Sequence, residues 1–377
     1  MDKIVIILGD TLTTLGALRA LQPLKREGYR LLLCTSDAEE NIPWYSNIPD
    51  KKITFREGVV EGLLKIADSF IGKPILVFTM DADVVEISAN RDRLTRYYRF
   101  FLPDDDMVRT LMEKTRFTQF ALEHGLSIPE TVTLCSREEL LKVDQQIRYP
   151  IIIKPYLLHA IRVNSREELE ELAEDLSPLH YQAMIAQAFI EGGDDELYFC
   201  FLVFDEAGQL AQKMTARKLR QWPLRYGSTS LAVTIKDPRL DQEVEQFLKV
   251  ARPAGYCSIE YKYDRITDRF YIMEPTIGRF NQQISLSVAC GVNIPLALVK
   301  LIDGEAMAPR IQKDNIFWVY ESNDLLAYLN SKSRYGYLKN FFRPSAEVLF
   351  SFNDPKPLFA EMKFMAKKKL RKLLNNA

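Results

Sequence analysis

Short apolar runs alternate with amphipathic stretches through the first 105 residues. Residues 4–8, 31–34 and 75–79 are continuous apolar runs of strand length, and residues 13–27, 59–70 and 93–101 carry apolar positions at helical spacing. Strand alternating with helix predicts a parallel, doubly wound sheet. The pattern then changes. Residues 106–125 read as one helix ending at Gly125, with Pro129 beyond it. Ser136 and Ser165 each stand three residues before a glutamate, which predicts two capped helix starts. Between them, residues 149–155 form a buried strand that ends in Lys154, and residues 184–190 form another before Glu191, Gly192, Gly193 and Asp194. Strands dominate residues 196–274, interrupted by a helix over 240–251. Two further helices follow at 284–289 and 295–302. The pattern weakens after Glu305 and ends in a basic amphipathic stretch over 358–377.

Composition narrows the classes. The chain has 377 residues, 47% of them hydrophobic, which is enough for two or three domains with real cores. Lys and Arg total 50 against 51 Asp and Glu, so no basic surplus points to a nucleic-acid partner. The five cysteines are scattered without a Cys-x-x-Cys pair, which suits free thiols in a reducing compartment. The three histidines lie in different segments without zinc-ligand spacing. The first apolar run is too short for a signal sequence, and no run has membrane-spanning length, so the expected location is the cytoplasm. Residues 9–16 do not form a Gly-x-Gly-x-x-Gly loop, so a dinucleotide site has little support.

The chemistry concentrates in residues 259–279. Two strands joined by a turn at 265–269 each place a glutamate among apolar neighbours, Glu260 and Glu274. A hairpin sets them side by side, where two carboxylates repel unless a cation lies between them. Oxygen ligands without His or Cys suit Mg²⁺, which usually also takes phosphate oxygens and water. Arg279 follows as a charge for an anion. The constellation suggests a Mg·nucleotide site. The alternative is a pair of structural salt bridges to Lys262 or Arg279.

The order of features resembles the ATP-grasp superfamily of carboxylate–amine ligases. Glu113-Lys114 opening a helix, Gly125 to Thr131, the strand ending in Lys154, Ala186 to Asp194, the basic run Ala216 to Gln221, and the Glu260/Glu274 pair follow the family's sequence of motifs. The chain looks most like the branch that includes D-aspartate ligase and ligases linked to envelope polysaccharides. Phe350 to Pro357, with its Asp-Pro-x-Pro, also looks like that branch.

The resemblance implies a mixed α/β and α+β architecture, a Rossmann-like domain followed by an ATP-grasp fold. It divides the chain into residues 1–105, a small subdomain at 106–190, a large subdomain with the metal site at 191–305, and a C-terminal extension at 306–377. It implies ATP and Mg²⁺ as cofactors and a small-molecule or glycan-linked carboxylate and an amine as partners, joined through an acyl phosphate. Lys114 and Lys154 would hold phosphates. Gln187, Ala188, Phe189 and Ile190 would receive adenine, with the contact at Ala188 made by backbone alone. Asp194 would take the ribose, or simply serve the Gly-Gly turn. Lys218 would face the triphosphate, with Arg217 or Arg220 near the acid; a solvated basic face is the alternative. Glu260, Glu274 and either Thr276 or Asn281 would hold the metal, with Arg279 as the anion clamp.

The sequence departs from the family in three places. Thr276 stands where an asparagine is usual, Arg279 falls one position late, and residues 155–161 lack the usual glycine-rich loop, leaving His159 as a candidate replacement. Those departures keep open a second reading, a nucleotide- or precursor-binding module without turnover. The basic tail admits two readings as well: a helix packed on the body with its lysines in water, or peripheral contact with the inner face of a membrane.

Overall fold

The computed structural model describes residues 3–36, 41–156, 158–224, 227–251, 253–330 and 343–375. Three sheets organise them. The first contains strands β1 (Lys3–Leu8), β2 (Tyr29–Thr35), β3 (Lys51–Thr54) and β4 (Ile75–Phe78), all parallel in the order β3-β2-β1-β4. Apart from Lys3, every residue of β1 is buried, as a parallel strand covered on both faces requires. This is the parallel sheet that the alternation predicts, and it is consistent with the Rossmann-like domain that the resemblance implies.

The second sheet is antiparallel, in the order β5-β8-β6-β7, built from β5 (Thr131–Leu134), β6 (Ile151–Lys154), β7 (Ile161–Val163) and β8 (Met184–Ala188). Its helices start as the serines predict. Ser136 Oγ accepts from Glu139 N–H at 3.1 Å and Ser165 Oγ from Glu168 N–H at 3.3 Å. This lobe has its own small core around Leu140, Ile151, Leu169 and Met184.

The third sheet has seven strands in the order β13-β12-β9-β10-β11-β14-β15: β9 (Leu197–Phe204), β10 (Leu210–Trp222), β11 (Ser228–Thr234), β12 (Gly255–Asp264), β13 (Arg269–Ile277), β14 (Phe317–Val319) and β15 (Pro344–Glu347). Its two faces share continuous cores with the first domain: Leu202 and Ile259 join one side of β1, and Phe201, Tyr256 and Phe280 join the other. The weakly patterned stretch after Glu305 supplies β14 and β15 at the sheet's edge.

Two helix expectations are corrected. Residues 93–101 do not form a helix; helices cover Asp81–Ala89 and Arg91–Leu94, and Arg99 bridges to Ile75 beside β4. Residues 106–125 form two helices, Asp105–Met112 and Lys114–Glu123, broken at Glu113 (φ −89°, ψ 120°). The first packs against β13 and the second against β8, so the break is where the chain crosses between lobes. No local breaker announces it, because tertiary packing imposes it.

Candidate active site between the two lobes

β12 and β13 pair so that Glu260 stands directly opposite Glu274. β13 is the edge strand of its sheet, which is why Pro275 is tolerated there. A β-bulge falls between the Glu260 and Tyr261 pairs. Strict alternation would send Met273 and Glu274 to opposite faces, yet both line the same cleft. The bulge turns them there, a common device beside functional sites.

That cleft, about 770 Å³, lies between the small antiparallel sheet and the large one. Lys154, Gln187, Ala188, Phe189, Ile190, Asp194, Lys218, Glu260 and Glu274 all line it. A second cleft of about 370 Å³ is lined by Thr13, Ser228, Thr229, Ser258, Thr276, Arg279 and Asn281. The two clefts share one wall, made of Lys218, Gly227, Glu260 and Glu274. Gly227 is required there: a Cβ would stand 2.0 Å from the backbone carbon of Trp222.

Charges are concentrated at that wall. Lys218, only 4% exposed, places Nζ 3.5 Å from Glu260 Oε2 and donates to Gln221 Oε1 at 3.3 Å. Gln221 in turn donates to Asp194 Oδ1 at 2.8 Å, tying the lysine to the cleft rim. Water reaches Glu274 through the cleft mouth, but protein surrounds it on the other sides. Burial raises its pKa and Glu260 adds to the rise, while Lys154, Lys114 and Arg279 act against it. Lys154 shows the complementary effect. Burial lowers its pKa, Glu274 and Glu260 counter that, and Lys114 adds to it. A half-buried cation and crowded carboxylates are each costly alone.

The structure also separates residues that the sequence groups together. Lys114 does not line either cleft, although its charge acts on both Lys154 and Glu274. Arg217, on the opposite face of β10 from Lys218, donates to Asp195 Oδ2 at 3.0 Å and lies over the Tyr198 ring at 5.6 Å. Arg220 makes a two-pronged pair with Asp324, at 2.8 and 2.7 Å. Neither arginine reaches a cleft wall. The expected alternative partners of the glutamates are engaged elsewhere: Lys262 donates to the carbonyls of Gly192 and Gly193, and Arg279 Nε donates to Asp81 Oδ1 at 2.7 Å. His159 is exposed and lines neither cleft, and Leu157 lies outside the described residues.

The hinge is more restricted than the sequence implies. The N–H of Ala188 donates to Glu130 and that of Phe189 to Pro150, so neither is left for a base. Gln187 Oε1 is buried without a hydrogen-bond partner. Buried polar atoms seldom go unpaired, so an orphan acceptor on a cleft wall suits a ligand donor. Beside the paired carboxylates, Asn281 Oδ1 accepts from both Tyr256 (2.9 Å) and Ser258 (2.8 Å), which uses both of its lone pairs. Thr276 is then the better third oxygen. No set of three or more His, Cys, Asp or Glu side chains converges among the described residues. Two carboxylates with room for phosphate and water fit Mg²⁺ held jointly with a nucleotide.

Sequence reasoning missed Arg162, Gln221 and Met273 in the larger cleft and Thr13, Ser228, Thr229 and Ser258 in the smaller one. Arg162, on β7, lines the nucleotide-sized cleft with its guanidinium 4.1 Å from the centre of the Phe189 ring. Nothing local marks it, because the contact joins β7 to the segment after β8.

Comparison with known proteins bears on the fold. No protein-family model matches the chain. The C-terminal section of the carbamoyl phosphate synthase large chain from Methanopyrus kandleri is 25% identical over 297 residues, covering 74% of this chain and 52% of that protein. D-aspartate ligase from Enterococcus faecium is 23% identical over 244 residues, covering 59% and 57%. The chain therefore spans little more than half the length of the curated relatives it matches. Among solved structures, the biotin carboxylase domain of Hydrogenobacter thermophilus 2-oxoglutarate carboxylase, in complex with MgADP, ADP and bicarbonate, superposes with a TM-score of 0.67 at 13% identity, covering 84% and 73%. These relatives and neighbours are ATP-grasp carboxylate–amine ligases, and the chain has their fold.

Proposed function

We propose that the protein is an ATP-dependent, ADP-forming ligase that joins a carboxylate to an amine. One observation carries this reading: the Glu260/Glu274 pair forms the wall shared by a nucleotide-sized cleft and a smaller polar one. Glu260 and Glu274 would hold a metal at that wall, where it would supply positive charge for phosphate. The relatives named above include two ligases, and the structural neighbour was crystallised with MgADP, which supports ATP and Mg²⁺ as cofactors.

In this reading a carboxylate oxygen attacks the γ-phosphorus of ATP and ADP leaves. The amine nitrogen then attacks the acyl carbon and phosphate leaves. Mg²⁺ would neutralise phosphate charge between Glu260 and Glu274. The chain's own residues position and shield the reactants. Lys154 and Lys218 neutralise charge on the transferring group, Gln221 holds Lys218 in place, and Arg279 with Asp81 sits at the acceptor side. No side-chain nucleophile is required. Thr13, Ser228, Thr229 and Ser258 line the smaller cleft with hydroxyls, which suits a small polar acid such as an amino acid or a sugar acid. The resemblance to D-aspartate ligase supports a role in envelope or polysaccharide assembly. The free cysteines suit a reducing, cytoplasmic setting.

A second reading, nucleotide or precursor binding without turnover, rests on the sequence of residues 155–161, which holds no glycine where the resemblance implies a glycine-rich loop. ADP release measured across a panel of acids and amines separates the two. ADP formed only when both substrates are present, and lost in Glu274→Ala, supports the ligase. Saturable ATP binding without ADP release across the panel supports the binding module.

A further inference from the structure

Over its described side chains, which end at Lys367, the C-terminal helix Lys356–Asn375 presents large apolar residues to solvent. Its start is firmly anchored. Asp354, 1% exposed, accepts from Ser46 Oγ (2.9 Å), the Asn47 N–H (2.8 Å) and Arg19 Nε (3.2 Å). Arg19 also donates to the carbonyls of Val348, Leu349 and Asp354. One helical turn apart, Ala360 is buried and Phe364 meets the Tyr45 ring edge-on at 5.8 Å. That row is the inward face. With it pinned, Phe359 (64% exposed), Met362 (59%), Lys363, Met365 and Lys367 face outward. Beside the helix start, Phe352 is 88% exposed and packs edge-on against Phe350.

The outer face of a solvated helix is normally polar. Here it mixes large apolar side chains with lysines. The helix carries seven basic residues against one carboxylate, Glu361, in a chain whose net charge is −1. The helix is therefore net positive while the rest of the chain is net negative. Apolar side chains ringed by lysines on an in-plane helix match an anionic bilayer surface. No helix of the described residues is long and apolar enough to cross a membrane, so the contact would be peripheral.

We propose that this helix and the adjoining Phe350–Phe352 pair dock the protein on an anionic lipid bilayer. Phe352, Phe359 and Met362 enter the headgroup–acyl boundary, and the lysines meet the lipid phosphates. The anchor also fixes how the active site faces the membrane. Arg19, which holds Asp354, lies in the helix Leu12–Leu21 that carries Thr13 to the wall of the smaller cleft. This inference stands apart from the ligase reading, since it uses none of the residues at the carboxylate pair.

The test is co-sedimentation of the full chain with vesicles of neutral phosphatidylcholine and with vesicles that also contain phosphatidylglycerol. The expected result is binding to the anionic vesicles alone, weakened by salt. Lys363→Gln should lose about fivefold in affinity, the effect of one lysine near a charged surface. The double variant Phe352→Ser/Phe359→Ser should lose more. Both variants alter exposed side chains, and unchanged melting and Mg·ATP binding would show that they fold. Equal sedimentation with both vesicle types would overturn the proposal. So would retained binding in the double variant, or self-association through this face with no preference for lipid.

Discussion

Replacing Glu274 by glutamine removes one charge from the paired carboxylates and keeps the side chain's shape. Residues paired across an antiparallel sheet hold their Cβ atoms roughly 5 Å apart. Two full charges at about that distance repel by ~3 kcal/mol at an effective dielectric of 20, and by under ~1 kcal/mol in water. Water reaches Glu274, so the lower part of that range applies, about 1–2 kcal/mol. Lys154 opposes the repulsion, but the raised pKa of Glu274 shows that burial and Glu260 together outweigh its cations. A raised carboxylate pKa means that ionisation costs folded stability above the unfolded pKa. At pH 8, without ligand, Glu274→Gln should therefore melt a few degrees above wild type. Mg·ATP should reverse the order. Wild type gains about 2.7 kcal/mol at a ligand concentration a hundred times its Kd, and the variant, having lost a metal ligand, gains little. Thermal unfolding of both proteins with and without Mg·ATP measures both effects. A variant that melts below wild type without ligand, yet gains as much from Mg·ATP, would refute the reasoning.

Other consequences are open to direct measurement. Lys154→Met and Lys218→Met should each weaken ATP binding by roughly 10- to 100-fold, the worth of a charge-assisted hydrogen bond, as titration calorimetry would show. Mg·ATP affinity should fall on both sides of a pH optimum. Glu274, with its raised pKa, begins to protonate above the usual carboxylate range, and Lys154, with its lowered pKa, begins to lose its charge below the usual lysine range; Kd measured against pH would show both arms drawn inward. Burial together with Asp10 and Glu86 pushes Asp83 up to about 7. Between its unfolded pKa and about 7 the folded state holds the extra proton, so stability falls as pH rises through that window. Asp83→Asn should remove the dependence and raise stability at pH 8 by at most about 4 kcal/mol, as urea unfolding across pH would report. Asp354→Ala leaves Arg19 buried without its carboxylate and should cost about 3 kcal/mol in the same unfolding assay.

Local patterns carried much of this structure. The apolar runs at 4–8, 31–34 and 75–79 match three of the four strands of the first sheet, and the helices at 284–289 and 295–302 lie where their spacing places them. The carboxylate pair was legible because a hairpin makes sequence spacing into spatial register, and Glu260 does face Glu274. What stayed hidden depends on contacts between distant segments. The bulge at Met273 leaves no mark in the sequence. Arg162 reaches Phe189 only once the small sheet has formed, and the break at Glu113 exists because two helices pack on different lobes. The tight basic run misled for a related reason. Lys218 faces the cleft, while Arg217 and Arg220 find Asp195 and Asp324 on elements that the run itself does not reveal. The Asp-Pro-x-Pro segment reads as a family mark in sequence, and the structure gives Asp354 a physical task in holding the tail to Arg19.

Titration of Mg·ATP into the purified protein by calorimetry, beside Lys154→Ala and Glu274→Ala, tests the central claim most directly. The account predicts saturable binding by wild type that requires Mg²⁺ and is weakened in both variants. A well-folded wild type that binds no nucleotide, or one whose binding is indifferent to both substitutions, would contradict it.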